Sequence, residues 1–225
     1  MYASQRAATI ASMPPLSATV VCISHAEGAD GYAVGQAVAA RLGFRLADDS
    51  IVVDAARDEG LFPEALSLAE RRNAGKRIEV DFGRVERTED LRDLIAAAVV
   101  RTAEEGNVVI VSHAASYPLA PRPDVLRVFV TASLEKREER VADDEGLDAT
   151  EAARRVADSD RGRAAYLDRF YGVKRELPTD YDLVVNTDRL PIAEAAALVA
   201  AACAAGADSA LGDHLRDRVE QAPGH

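Results

Sequence analysis

Lysine is almost missing from this chain: of its 27 basic residues only Lys76, Lys136 and Lys174 are lysines. An anion bound here must therefore be held mainly by arginine and backbone amides, not by flexible ammonium groups. Cysteine is equally scarce. Cys22 lies in an apolar run and Cys203 in an alanine-rich stretch, so both read as small core residues and neither a disulfide nor a metal pair is expected. No long apolar run exists. The longest, residues 195–205, is short and mostly alanine, which excludes a bilayer span. The segment around Arg6 carries no apolar stretch followed by a cleavage site, so a cytoplasmic protein without membrane attachment is expected. Positive charge is also in deficit, 27 basic against 38 acidic residues for a net charge of -11, which disfavours any nucleic acid polymer as partner. A small anion remains compatible with that balance, because a local arginine cluster overrides the global sign.

What is present is a chain of 225 residues, 48% of them hydrophobic, enough for one domain with a core of its own. Residues 18–24 (ATVVCIS), 107–112 (NVVIVS), 125–131 (VLRVFVT) and 181–187 (YDLVVNT) are short apolar runs of the kind that forms strands buried on both faces. Residues 44–47, before Asp48, form a further short strand. Between these runs lie helical patterns. Val34, Val38 and Leu42 share one face ahead of Gly43; Leu91, Leu94, Ile95, Ala98 and Val99 share another ahead of Gly106. Residues 134–171 read as two charged helices split near Gly146, and a last helix starts near Pro191. This alternation predicts a three-layer αβα fold around a five-stranded parallel sheet, with ligands at the carboxyl ends of the strands.

The segments just after the strands carry a resemblance. Residues 23–31 (ISHAEGADG), the strand ending at Asp48, residues 109–115 (VIVSHAA), the run from Leu126 to Arg140, and 181–187 together resemble the cytidylate-kinase-like branch of the P-loop nucleoside monophosphate kinases. Residues 1–17 and 206–225, without periodicity or polar throughout, read as flexible tails, and the resemblance implies a kinase-like domain over 18–205 with a monophosphate-side helical segment over 51–90 and a lid region over 135–176. It also implies ATP and Mg2+ as cofactors, and a nucleotide or other small phosphate-bearing ligand as partner. A homodimer or a partner protein is left open.

By the same resemblance Gly28 and Gly31 form the phosphate loop, Arg161, Arg163 and Asp160 are the catalytic lid group, Arg137 and Arg140 lie near the nucleotide, and Asp48 binds substrate or magnesium. The loop departs from the G-x-x-x-x-G-K-[ST] pattern: His25 and Asp30 stand at the two glycine positions, Gly31 replaces the lysine and Tyr32 the hydroxyl residue. Glu27 and Asp30 add negative charge that opposes a polyphosphate. An ordinary strand-to-helix turn is the competing interpretation. His25 and His113 sit in matching Ser-His-Ala contexts after strands that the kinase order makes neighbours. They read as anion contacts, as metal ligands with nearby carboxylates, or as plain strand-end residues. The lid arginines read either as a phosphate clamp or as a solvated helix with Asp158–Arg161 and Asp160–Arg163 pairs. Two functions follow: ATP-dependent phosphorylation of a nucleoside monophosphate or related molecule, weak because of the altered loop, or a non-catalytic nucleotide sensor or partner subunit.

Overall fold

The computed structural model describes residues 18–48, 50–51, 88–112, 115–120 and 122–204. The expected tails and most of the 51–90 segment lie outside them, as does His113. Five strands form one sheet: β1 (Val20–His25), β2 (Arg45–Ala47), β3 (Val108–Val111), β4 (Val125–Thr131) and β5 (Leu183–Asn186). Their order is β2-β3-β1-β4-β5 and every pairing is parallel. β1 is central, pairing Ile23 with Val111 on one side and Val128 on the other. All six of its residues are buried, which is why it shows no polar alternation.

Helices α1 (Gly31–Leu42), α2 (Thr88–Glu104), α3 (Leu134–Glu145), α4 (Ala149–Tyr171) and α5 (Ile192–Ala204) complete the described fold. α1 and α5 cover one face, burying Val34, Val38, Ala196 and Val199 against Val21, Ile23, Val109 and Val128. α2 and the end of α4 cover the other, where Ile95, Val99 and Phe170 meet Val20, Cys22 and Ile110. Cys22 and Cys203 are both free and buried. Burial pushes the Cys22 thiol up to about 12, with Arg127 pulling slightly the other way. No described helix is long and apolar enough to cross a membrane.

The break between α3 and α4 has a local cause. Gly146 caps α3 at φ 66, and Asp148 opens α4 with a capping box to Glu151. α4 then runs 23 residues, and its last turns lie beside the carboxyl end of β4. An ion pair pins the edge strand: Asp182 takes Arg127 at 2.8 Å and also accepts from the Arg127 amide at 2.8 Å.

Candidate functional site

The connection from β1 to α1 is a tight turn. Gly28 has φ 74 and Asp30 φ 59, so the chain passes twice through the left-handed region. Gly28 suits this because it lacks a Cβ. Contact requires glycine as well: a Cβ there would lie 2.5 Å from the Arg137 carbonyl oxygen. At Gly31 a Cβ would lie 2.2 Å from the Cβ of His25. The His25 side chain thus packs against the first residue of α1, with 4% of the residue exposed and Nδ1 3.2 Å from the Ala26 carbonyl.

Two arginines of α3 clasp this turn. Arg137 Nε donates to the Glu27 carbonyl at 2.7 Å, and its two Nη atoms take both Asp160 oxygens on α4 at 3.1 and 2.7 Å. Arg140 Nη1 donates to the Gly28 carbonyl at 3.2 Å and to the Thr187 hydroxyl at 2.9 Å. Its Nη2 reaches the Thr187 carbonyl at 2.8 Å, and its Nε pairs with the Asp30 carboxylate at 3.1 Å. The Asp30 charge expected to oppose an anion is therefore balanced by an adjacent guanidinium. Carbonyl groups of the turn face α3, where the arginines satisfy them.

Beside the turn, between β4, α4 and residues 173–176, lies a cavity of about 350 Å³. Phe129, Thr131 and Ala26 form part of its wall; Arg137, Arg163, Lys174 and Arg175 supply four cations against Asp160 and Glu176. Arg163 is the best-anchored of these. Its side chain is 9% exposed. Nε and Nη2 grip the Glu176 carboxylate at 2.9 and 2.5 Å, and Nη2 also meets the Tyr181 hydroxyl at 3.1 Å. The Tyr181 hydroxyl donates to Glu176 in turn. The guanidinium carbon sits 5.3 Å from the centre of the Phe129 ring, which stacks on Tyr181 at 5.1 Å. Nη1 is buried and has no hydrogen-bond partner among the described residues. Burial raises the Glu176 carboxyl, but the bonds and charge of Arg163 outweigh it and leave the group below the ordinary carboxylate value. Burial pushes the Tyr181 phenol upward and Glu176 adds to that, against a counter-pull from Arg163.

The structure thus brings Arg137 and Arg140 against Gly28, and Asp160 and Arg163 beside Arg137 at the cavity, though not with the expected pairings. Asp158 does pair with Arg161. Asp160 and Arg163 do not pair with each other: Asp160 turns to Arg137 on α3 and Arg163 to Glu176 beyond α4. A helical spacing offered that partner, and less exposed partners from other segments outcompeted it. The Arg161 side chain is 74% exposed and is not part of the cavity wall. Asp48 accepts from the Ser50 amide at 3.0 Å, a local turn contact at the carboxyl end of β2. The expected partnership of His25 with His113 falls outside the described residues. Glu176, Tyr181, Phe129 and Thr187 were not singled out from sequence. Tyr181 and Thr187 flank the last apolar run and so had a visible position; Glu176 had no signal at all.

A phosphate group fits this site, since the cavity wall presents four cations against two carboxylates. Among the described residues no group of three or more His, Cys, Asp or Glu side chains is placed to hold a metal, and Tyr32 stands where a loop hydroxyl would be needed.

A five-stranded parallel sheet between two helical layers, with a glycine turn after its central strand held by two arginines of α3, defines an α/β protein of the kinase-like type. Sequence comparison makes this specific: the chain belongs to the cytidylate kinase-like family, whose sequence model matches residues 20–189. A cytidylate kinase of Methanopyrus kandleri is 38% identical over 98 residues, a match covering 39% of this chain and 49% of that protein. The chain thus spans about half the length of this relative in the aligned part. A cytidylate kinase of Ignicoccus hospitalis is 31% identical over 169 residues, covering 75% of this chain and 90% of that protein. Among solved structures, an uncharacterized protein from Eubacterium ventriosum shares the fold, with a TM-score of 0.63 at 16% identity over 82% of this chain and 97% of that one.

Proposed function

We propose that this protein binds the phosphates of a nucleotide between the β1–α1 turn and α4, and that it transfers a phosphoryl group slowly from ATP to a nucleoside monophosphate or a related small molecule. The observation that carries the reading is the cavity wall beside the turn, where Arg137, Arg163, Lys174 and Arg175 outnumber Asp160 and Glu176. Phosphoryl transfer asks for position and positive charge more than for covalent help. Arg137 and Arg163 supply charge at the cavity, and Arg140 cancels Asp30 beside it. When bound, a divalent ion would add charge neutralisation between the phosphates of ATP.

The slowness follows from the turn. It has neither the lysine nor the hydroxyl of a standard phosphate loop, and removing one such electrostatic donor typically costs about 100- to 1000-fold in rate. The exposed Arg161 adds nothing to the cavity. That same pair of observations favours a second reading, a nucleotide-binding subunit without turnover. One experiment separates the two. Thermal melting with ATP, AMP and CMP, with and without magnesium, reports binding through RT ln(1 + [L]/Kd); chromatographic detection of ADP and CDP reports transfer. Binding with slow product formation supports the kinase, and binding with no product supports the subunit. Turnover of CMP or AMP on the order of 10 per second, an ordinary enzyme rate, refutes the weakened site. No stabilisation by any of the three refutes both readings.

A further inference from the structure

We infer, on the reading of the cavity as a phosphate site, that Arg175 on the short strap after α4 binds the ligand's phosphate directly. Three of the wall's four cations are already matched to carboxylates. Arg137 gives both Nη atoms to Asp160 and its Nε to the Glu27 carbonyl. Arg163 gives Nε and Nη2 to Glu176. Lys174 pairs with Asp168 at 2.7 Å. Arg175 lies on the same wall, and among the described residues it has no hydrogen bond, ion pair or ring contact. The excess positive charge of the wall therefore resides on Arg175. An anion that recruits Arg137 or Arg163 must first displace a carboxylate bound through two nitrogens. One that meets Arg175 displaces only water, and finds a planar fork with no donor committed elsewhere.

Access and placement agree with this. Arg175 is exposed, whereas the side chains of Arg137 and Arg163 are each 9% exposed. An exposed arginine on a loose loop would gain little from an anion, because backbone and side chain would both have to be ordered. Here the strap is fixed on either side. Gly172 caps α4 at φ 67, and the Val173 amide donates to the Leu167 carbonyl at 3.1 Å. On the other side Glu176 is gripped by Arg163, and the Leu177 amide donates to the Asp180 carboxylate at 2.8 Å. The backbone under Arg175 is thus set before any ligand arrives. The cations divide the work: Arg163 anchors the strap, Arg137 clasps the turn, and Arg175 is left for the anion. Lys174 beside it belongs to an exposed pair of the kind that is worth little, so it adds charge without competing for the contact. The resemblance to the kinase family gives Arg175 no role.

Calorimetric titration of the full chain with ATP and with inorganic pyrophosphate, which carries the phosphates alone, tests this. Arg175→Ala should weaken both about 10-fold, the low end for a hydrogen bond to a charged group, because the side chain is exposed and must be ordered. Arg175→Lys keeps the charge without the fork and should recover part of the loss. Arg41→Ala is the control. It removes the same charge from an exposed residue in the last turn of α1, off the cavity wall and at the far end of that helix from the glycine turn, and it should leave both affinities unchanged. Equal affinity of wild type and Arg175→Ala overturns the inference. So does an equal loss in Arg41→Ala, which would reduce the effect to net charge. Arg175→Ala removes no described contact, so the melting temperature without ligand should hold. A fall of about 2–4 °C or more, the size of one lost contact in a domain of this length, would give Arg175 a structural partner and overturn the inference as well. A wild-type protein that binds neither probe overturns the phosphate site itself, and the inference falls with it. That result is distinguishable because it appears before any variant is made.

Discussion

Replacing Gly28 by alanine tests the turn most directly, because two independent costs meet there and one can be subtracted. The first is conformational. At φ 74 an L-residue pays the left-handed penalty of about 1–2 kcal/mol. The second is steric: the new methyl group would lie 2.5 Å from the Arg137 carbonyl oxygen and 2.9 Å from its Cα, both backbone atoms of a helix and unable to swing aside. Forcing a group into such a contact costs about 1–3 kcal/mol. Gly43, which caps α1, provides the control. Its φ of 68 is nearly the same, but a Cβ there has no atom within 4 Å. Both changes also gain the same small entropic advantage in the unfolded chain, about 0.4–1 kcal/mol. Gly43→Ala should therefore cost about 1 kcal/mol, and Gly28→Ala about 1–3 kcal/mol more. With a urea slope near 2 kcal/mol per molar, the difference is a midpoint shift of roughly 0.5–1.5 M between the two variants. Urea unfolding followed by circular dichroism reads it. Two variants equal within about 0.5 kcal/mol would refute the claim that the turn is packed against α3.

Other outcomes follow from the same contacts. Gly162→Ala, inside α4 where a Cβ meets nothing within 4 Å, should stabilise the fold by about 0.5–1 kcal/mol in urea unfolding without changing ATP affinity. Arg140→Ala removes the cation beside Asp30 and should weaken ATP binding; Arg140→Ala with Asp30→Asn should recover part of the loss in calorimetry, because the stranded carboxylate is then gone. Glu176 titrates below the ordinary carboxylate value in the folded protein, so its contribution is complete above the unfolded value of about 4.3 and is lost as pH falls through the lower folded one. The stability gap between wild type and Glu176→Gln should accordingly be constant above about pH 5 and shrink below it; a gap unchanged down to pH 3 would contradict the pairing.

The strands were legible because a parallel strand buried on both faces has one composition whatever its neighbours are. Residues 18–24 needed nothing but their own apolar run to be read, and β1 forms there. The break near Gly146 was legible because helix capping is local chemistry, completed by Asp148 and Glu151 within a few residues. The membership of Gly28, Arg137 and Arg163 in one neighbourhood was legible through the family's order of segments, which carries the topology with it. Their partners were not. The bond from Arg137 to the Glu27 carbonyl spans 110 residues, and a backbone acceptor leaves no trace in the side-chain pattern. Glu176 lies in a short connection without periodicity, so nothing distinguished it from any exposed acid. Asp160 and Arg163 failed for the opposite reason. Their spacing matched a helical pair so well that it concealed the choice each made for a partner in another segment.

The Arg137 clasp also bears on how this protein can be rebuilt. One side chain ties together residues 27, 137 and 160, three places that a gene-shuffling experiment would treat as separable. Replacing α4 alone by a helix without an acid at position 160 leaves a guanidinium, 9% exposed, without its carboxylate. Exchanging the β1–α1 turn alone presents that guanidinium with a different backbone. A working chimera would have to move the turn, α3 and α4 together, so the natural crossover points lie before β1 and after Gly172, not at the loops between these elements.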